Sequence, residues 1–266
     1  MTSANTAGNT ANTGNSANTA GSAADSNAGN NAQNSAKQAI SIRLMEEKDY
    51  PQVQKILQTG MDTGEATFEE SAPEAWEDFM RHRLPELSFV AIDTDPAAAA
   101  AAGLGEDGEK ILGWITATSA SHRDVFDGVL EDSIYVHKDA AGKGVAGSLL
   151  DRLLKDAAEQ GHWAMHSSIF PENEGSVRLH VSRGFEEVGV FHCMSHMNYG
   201  PKKGTWRHNM VMEKILEGGP AWKYYQENLA HSDEDGADNA GNADNAGSAG
   251  NSGNARNAEG SAEESE

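Results

Sequence analysis

The two ends of the chain contain almost none of the large apolar side chains from which a folded core is built. Residues 1–38 consist mostly of Ala, Asn, Gly, Ser and Thr, and residues 232–266 repeat that bias and add acidic side chains against a single Arg256. Neither segment can bury enough apolar surface to offset the conformational entropy that is lost on ordering. We therefore predict a disordered tail at 1–38, one folded domain at 39–231 and a disordered acidic tail at 232–266.

The charge of the chain limits its partners. The formal net charge of −21 at pH 7 would repel both nucleic acid and anionic membrane surfaces. The first residues, MTSANTAGNT, lack the basic and apolar regions of a secretion signal, and no apolar run approaches the length of a membrane span. We expect a cytoplasmic protein that binds neither nucleic acid nor membrane.

The cysteine and histidine content argues against a metal site. Cys193 is the only cysteine, and the ten histidines show no HExxH-type spacing. We expect Cys193 to be a partly buried strand thiol and the protein to need no metal.

Strand-like and helix-like segments alternate through the middle of the chain. Strands are predicted in ISIRLM, LSFVAID, KILGWITATSA, DSIYV, WAMHSSIF, FEEVGVFHCMSHMNYG and TWRHNMVMEKI. Helices are predicted from about Lys48, in APEAWEDFMRHR, over Gly144–Glu159 and over Gly175–Arg183. This order predicts an α/β domain with a mixed sheet and helices on both faces.

The strand DSIYV leads into a loop that contains Gly142, Gly144 and Gly147 and opens a helix. Glycine permits unusual φ values and lets an anion approach the main chain, while the first N–H groups of a helix attract negative charge. The spacing is neither GxGxxG nor GxxxxGK[ST]. Taken alone, the pattern indicates either an anion cradle or an ordinary turn before a helix.

Several motifs around this loop resemble those of the Gcn5-related N-acetyltransferase superfamily. They are EDSIYV at 131–136, AGKGVA at 141–146 and NEGSVRLH at 173–180. GEATFEE at 64–70, RDVF at 123–126 and KKGTWRHN at 202–209 resemble its phosphinothricin or L-amino acid N-acetyltransferase branch more narrowly. The likeness covers residues 40–215 and implies the acyl-CoA N-acyltransferase fold, with a central, mostly antiparallel sheet.

Three positions depart from the pattern of the resembled family. Ala141 stands where the phosphate loop of the superfamily has Gln or Arg, so one polar contact with the cofactor is missing. Lys203 and His208 stand where the branch often has a His and an acidic residue around its KxGxW segment. The first departure bears on the strength of cofactor binding, and the other two bear on the choice of substrate.

The resemblance implies transfer of an acetyl group from acetyl-CoA to a primary amine, with Glu131 as the general base. It also implies that Tyr135 or His180 gives a proton to the leaving thiolate. The expected acetyl-CoA contacts are Ile134, Tyr135, Val136, Gly142, Lys143, Gly144, Val145, Ala146, Gly147 and Asn173. The residue types alone also fit a solvated carboxylate at Glu131, core or surface packing at Tyr135 and His180, and a helix cap at Asn173.

For the acceptor, Arg123 offers a guanidinium fork suited to the carboxylate of an amino acid, beside the ring of Phe126. Phe68 would form an apolar wall, although all three also fit ordinary loop or core positions. The expected acceptor is an amino acid or an amino-acid-like toxin such as phosphinothricin, methionine sulfone or methionine sulfoximine. The alternatives are another amine, such as a peptide N-terminus, or a non-catalytic acyl-CoA-binding protein. Homodimers are common in the resembled branch, and a homodimer is an expectation of that resemblance alone.

Overall fold

Seven strands form one sheet in the described part of the chain, in the order β1-β2-β3-β4-β5-β7-β6. The computed structural model describes residues 40–229 apart from 96, 98–100 and 102–107. The strands are Ile40–Leu44 (β1), Arg83–Asp93 (β2), Lys110–Ser119 (β3), Val129–Val136 (β4), Ala164–Ile169 (β5), Glu186–His196 (β6) and Trp206–Ile215 (β7). The two predicted tails lie outside the described residues, so their disorder stays a prediction.

Five α-helices are described. They are Tyr50–Met61 (α1), Trp76–Met80 (α2), Val145–Glu159 (α3), Glu174–Val181 (α4) and Trp222–Asn228 (α5). Apolar residues at helical spacing give α1 and α3 one buried face each, and these faces cover opposite sides of the sheet. The prediction of a mixed sheet with helices on both faces is confirmed. Among the described helices, none combines the length and the apolar character that a bilayer span requires.

Two apolar clusters stabilise the sheet from its two sides. One lies under α1 and α2 and is centred on Val53, Phe79 and Trp114, all of which are fully buried. The other lies under α3 and contains Leu149 and Leu150. Because successive strand residues point to opposite faces, β4 contributes to both clusters and is held from both sides.

The second helix is shorter than its sequence pattern predicts. APEAWEDFMRHR predicts a helix over 72–83, yet α2 is five residues long. Side chains of α1 hold the segment before it in an extended path. Gln54 donates to the carbonyl of Pro73 at 2.7 Å, and Gln58 accepts from the amide of Ala72 at 2.9 Å. These contacts occupy backbone groups near the start of the predicted helix, so local propensity is overridden by tertiary contacts.

The prediction of a partly buried thiol at Cys193 is wrong. The residue is exposed and has φ +50°, within a register shift of β6 that lies between Phe191 and Ser195. Its N–H donates to Nδ1 of His208 at 2.9 Å. The irregularity turns the side chain to solvent, which the alternation of the sequence does not indicate.

The two central strands separate after a short parallel pairing. β4 pairs with β5 only over Val129–Glu131, opposite Ala164–His166. Beyond Glu131, β4 continues its antiparallel ladder with β3 as far as Val136, and β5 continues with β7 as far as Ile169. A wedge therefore opens in the middle of the sheet.

Candidate active site

The wedge between β4 and β5 forms a cleft of about 470 Å³. Its lining comes from the end of α1 and the loop after it, from β4, from β5 and the residue after it, and from Asn173 and α4. The lining residues are Gly60, Thr63, Glu65, Ala66, Asp132, Ser133, Ile134, Tyr135, Val136, Ser167, Ser168, Ile169, Phe170, Asn173, Ser176 and His180. The cleft thus brings together most of the residues that the sequence nominated on β4 and α4.

A larger concavity of about 710 Å³ lies elsewhere, beside α3 and the end of β7. It is lined largely by charged side chains, among them Asp151, Lys155, Arg183, Lys214 and Glu217. None of the residues nominated from the sequence lies in it. Size alone does not mark the functional site of this protein.

The side of β4 that faces the cleft offers unpaired backbone groups. In an antiparallel ladder, alternate residues turn their N–H and C=O groups toward the same neighbour. The backbone N–H of His137 donates to the carbonyl of Leu112 at 2.8 Å. The odd-numbered residues of β4, including Tyr135, therefore turn their backbone N–H and C=O groups toward β3. Ile134 and Val136 therefore turn their backbone groups toward the cleft, where no described strand pairs with them. Of Tyr135 and Val136, both expected to contact acetyl-CoA, only Val136 has its N–H on this side.

The glycine loop has the conformation that a backbone cradle requires. Gly142 and Gly144 have φ of +74° and +83°, values at which a side chain is strained. A Cβ added to either residue would meet no described atom within 4 Å, so the space over both is open. Gly144 is the N-cap of α3, so the first N–H groups of α3 begin here. By contrast, the side chain of Val145 is buried in the core, which leaves only its backbone available.

The remaining loop residues differ in what they offer. Lys143 and Ala146 lie in the same turn, the former exposed and the latter half-buried. A Cβ on Gly147 would lie 2.0 Å from Nη2 of Arg183, so the end of that flexible side chain would have to move. Ala141 is exposed and has no side chain that could reach an anion.

His180 lies in a buried polar cluster at the wall of the cleft. Its Nε2 is 3.0 Å from Oγ of Ser167 and 3.3 Å from Oδ2 of Asp132, and its Nδ1 is 2.8 Å from the carbonyl of Ser176. The His180 and Asp132 side chains are each only 1% exposed. Burial lowers the pKa of His180, but the hydrogen bond and charge of Asp132, with the carbonyl of Ser176, outweigh it and raise the pKa above its usual value.

Tyr135 packs beneath the cleft. Its ring stacks on Trp114 with centroids 4.8 Å apart, and a Cβ on Gly60 would lie 2.7 Å from that ring. Burial raises the pKa of Tyr135 to about 12, against the lowering effect of Arg83. The phenol thus stays protonated at neutral pH and gives up its proton less readily than an ordinary tyrosine. These contacts favour a packing role.

Asn173 is the N-cap of α4. Its Oδ1 accepts from the N–H of Ser176 at 3.2 Å, and its Nδ2 donates to the carbonyl of Glu65 at 3.2 Å. It therefore joins α4 to the loop after α1 while it lines the cleft. Its contact with a cofactor stays a prediction.

Glu131 lies at the apex of the wedge, as the last β4 residue paired with β5, opposite His166. It is half-buried, and no described residue forms a hydrogen bond or an ion pair with its carboxylate. By alternation its side chain lies on the same face of β4 as Ser133 and Tyr135, which both line the cleft.

The nominated acceptor residues lie apart from this lining. Arg123 and Phe126 are exposed around a short 3₁₀ turn, with the Arg123 guanidinium carbon 5.1 Å from the ring centroid of Phe126. Phe68 packs edge-on against Phe170, with centroids 4.8 Å apart. Phe170 itself lines the cleft, so Phe68 supports the wall from behind.

Arg207 is a site residue that sequence reasoning missed. Its Nη1 donates to the carbonyl of Gly64 at 2.7 Å, and its Nη2 donates to carboxylate oxygens of Glu65 at 2.6 Å and Glu172 at 3.2 Å. The guanidinium carbon is 4.1 Å from the ring centroid of Phe170, and among the described residues Nε has no hydrogen-bond partner. Because Glu65 and Phe170 line the cleft, Arg207 holds the GEATFEE segment at its mouth.

Glu65 is held from a second side by Lys202, at 2.8 Å. Partial burial raises the pKa of Glu65, but hydrogen bonds from Lys202 and Arg207 outweigh it, so the pKa lies below its usual value. The carboxylate is therefore ionised at neutral pH. Among the described residues, no group of three or more His, Cys, Asp or Glu side chains could hold a metal ion.

Comparison with known proteins identifies this arrangement. The profile of the "Acetyltransferase (GNAT) family" matches residues 59–185. A phosphinothricin N-acetyltransferase of Alcaligenes faecalis is 31% identical over 186 residues, which cover 69% of this chain and 86% of that protein. The chain belongs to the GNAT acetyltransferase family. The prediction of family and enzyme class is confirmed.

Two further proteins are similar to this chain. An L-amino acid N-acyltransferase of Escherichia coli is 34% identical over 114 residues, which cover 43% of this chain and 63% of that protein. The crystal structure of a GNAT superfamily phosphinothricin acetyltransferase from Sinorhizobium meliloti, in complex with acetyl-CoA, superposes with a TM-score of 0.57 at 24% identity. That superposition covers 68% of this chain and 91% of the other chain. The predicted acyl-CoA N-acyltransferase fold is confirmed.

Asp132 and Arg207 were not nominated from the sequence, because neither stands in a sequence pattern that marks a site residue. Asp132 follows Glu131 directly, yet it lies on the otherwise apolar strand face of Leu130 and Ile134. A lone carboxylate on such a face indicates a buried partner, but not which one. Arg207 stands inside the motif KKGTWRHN, where a buried arginine cannot be told from an exposed one by spacing.

We predict that Arg207→Met lowers the free energy of unfolding by about 2 kcal/mol, because it leaves the carbonyl of Gly64 without its donor and removes one partner each from Glu65 and Glu172. Amide exchange at Gly64–Ala66 should speed up in parallel. Arg178→Met is the matched control, since Arg178 forms an exposed pair with Glu174 and should cost about 0.5 kcal/mol or less. Equal losses in urea unfolding of the two variants would contradict a structural role for Arg207 at the cleft mouth.

Proposed function

We propose that this protein transfers the acetyl group of acetyl-CoA to the primary amine of an amino acid or an amino-acid-like compound. The observation that carries the proposal is the unpaired edge of β4, at Ile134 and Val136, which leads through a glycine loop into the start of α3. An extended amide-bearing chain pairs with such an edge, and a pyrophosphate suits such a loop. The phosphinothricin and L-amino acid acyltransferase relatives support the choice of acceptor class.

The residues present fit acetyl-CoA, which when bound would supply a thioester with an activated acetyl group. Ile134 and Val136 would hold its pantetheine arm through their backbone, and the N–H groups of residues 142–147 would hold its pyrophosphate. The N–H of Val136 would polarise the thioester carbonyl. Asn173 would meet the pantetheine region from α4.

Glu131 would act as the general base, directly or through a water molecule. Acyl transfer needs a neutral amine, so a proton must leave the ammonium form of the acceptor. A half-buried carboxylate with no described ion pair, at the apex of the wedge between β4 and β5, is suited to accept it. His180 would supply the proton to the leaving thiolate, because Tyr135 is the weaker acid of the two.

Arg123 and Phe126 would bind the carboxylate end and the body of the acceptor at the exposed turn before β4. An arginine fork recognises a carboxylate through two parallel hydrogen bonds. Phosphinothricin, methionine sulfone and methionine sulfoximine are therefore the first acceptors to test. The second candidate function is acetylation of a peptide N-terminus.

A non-catalytic acyl-CoA-binding protein is the other candidate, and Ala141 is the observation that favours it. The loop lacks a polar side chain at this position. Since the proposed contacts come mainly from backbone N–H groups, we expect Ala141→Arg to bind acetyl-CoA as tightly as the natural chain or more tightly. Thiol release with a panel of amines separates a binder from an enzyme.

We predict that Gly144→Val abolishes acetyl-CoA binding, because a branched side chain fills the open space over the loop. The strain of a side chain at positive φ is controlled for by Gly161→Val. Gly161 has φ of +91°, also has open space and lies just beyond the other end of α3. Titration calorimetry should give no heat with Gly144→Val and normal binding with Gly161→Val. Normal binding by Gly144→Val would remove the loop from the cofactor site.

We predict that Glu131→Gln lowers kcat on the order of 10²-fold while acetyl-CoA affinity is kept, since only the proton acceptor is lost. Glu187→Gln, on the exposed edge strand β6, is the control and should leave kcat unchanged. The measurement is thiol release against pH with the best amine of the panel. An unchanged kcat and pH–rate profile in Glu131→Gln would exclude this residue as the base.

A further inference from the structure

The strongest unexplained feature is the carboxylate of Asp132, which is buried at the cleft wall. Oδ2 faces His180, while among the described residues Oδ1 has no hydrogen-bond partner. A buried carboxylate that is only partly satisfied is costly, so its presence calls for a function. The function proposed above assigns none to it.

The partners of the two ring nitrogens define how His180 is protonated. Nδ1 faces the carbonyl of Ser176, which can only accept, so Nδ1 carries a proton. Nε2 faces Ser167 and the carboxylate of Asp132, and an ionised carboxylate also accepts only. A carbonyl beside Nδ1 and a carboxylate beside Nε2 suit an imidazolium paired with Asp132.

This arrangement differs from a Ser-His-Asp nucleophile triad. In a triad, the serine and the aspartate contact opposite nitrogens of the imidazole. Here Ser167 and Asp132 share Nε2, and Nδ1 is occupied by a backbone carbonyl. The carboxylate beside Nε2 favours a proton on that nitrogen, which disfavours proton transfer from Ser167 to the ring. The ring is placed to give the Nε2 proton away.

We propose that Asp132 is a positioning residue that keeps His180 doubly protonated and directs its Nε2 proton toward Ser167. Ser167 in turn passes a proton to the atom that becomes basic during the proposed reaction, the leaving sulfur. Ser167 Oγ accepts the proton from Nε2 and releases its own hydroxyl proton to that atom. His180 is then neutral, with its Nδ1 proton retained, and solvent restores the second proton. Because that atom is the leaving sulfur, this inference rests on the proposed function.

Among the described residues, few polar groups other than Asp132, Ser167 and Ser176 contact His180. β4 contributes Asp132, β5 contributes Ser167, α4 contributes Ser176, and Phe185 packs edge-on at 4.9 Å. Burial lowers the pKa of His180, and Asp132 is the charged group that raises it. A single substitution at Asp132 should therefore change the protonation of His180.

The test follows the His180 imidazole by NMR in the full-length chain, labelled at histidine, with the resonance assigned from His180→Gln. In Asp132→Asn, the titration should move to lower pH than in the natural chain. Asp151→Asn, at the exposed pair with Arg183, should leave it in place. If His180 titrated at the same pH with and without Asp132, the proposed pair would be excluded.

The pH–rate profile then tests proton delivery. The fall of kcat at alkaline pH should move to lower pH in Asp132→Asn, while KM for acetyl-CoA stays unchanged. A structural role alone would lower kcat equally at every pH, which would overturn the proposal. Ser167→Ala should leave the His180 titration in place and lower kcat on the order of 10²-fold. An unchanged kcat in that variant would exclude the path through Ser167.

The NMR titration and the turnover measurement together separate this inference from the proposed function. Coupling of Asp132 to His180 in the NMR titration, with no amine acetylated by the natural chain, would overturn the acetyltransferase proposal and proton delivery together. With that result, Asp132 would be only a structural partner of His180. Turnover without that coupling would overturn this inference alone.

Discussion

The separation of β4 from β5 is the constraint on which the site depends. Each strand keeps a full ladder with its other neighbour, so neither is free to follow its parallel partner beyond Glu131. The sheet consequently exposes a strand edge in its interior rather than at its rim. The N–H and C=O groups on this edge need hydrogen-bond partners, and an extended amide-bearing ligand would supply them.

Hydrogen bonds and ion pairs surround the wedge between β4 and β5, beyond the apolar clusters. On one side, Arg207 joins the loop after α1 to β7, and Asn173 joins the same loop to α4. On the other side, Asp132 on β4 reaches His180 on α4. These contacts link the two halves of the divided sheet through the elements around the cleft. A chain with only apolar contacts at this place would be expected to close the wedge and bury the strand edge.

Local sequence patterns predicted the parts of the fold that depend on interactions between residues close in the chain. α1 and α3 follow from apolar residues at helical spacing, and Gly142 and Gly144 follow from the need for positive φ before a helix. The limits of α2 did not follow, because contacts from Gln54 and Gln58 override its helical pattern. Asp132 and its partner His180 are 48 residues apart in the chain. No periodicity reports a contact of that range, and Arg207 was missed for the same reason.

The most direct test of the account is amide hydrogen exchange across β4, measured by NMR with and without acetyl-CoA. Ile134 and Val136 should exchange quickly in the free protein and become protected when acetyl-CoA binds. Tyr135, whose N–H is already assigned to the ladder with β3, should be slow in both states. Binding that left Ile134 and Val136 unprotected would contradict the claim that the divided sheet is the acetyl-CoA site.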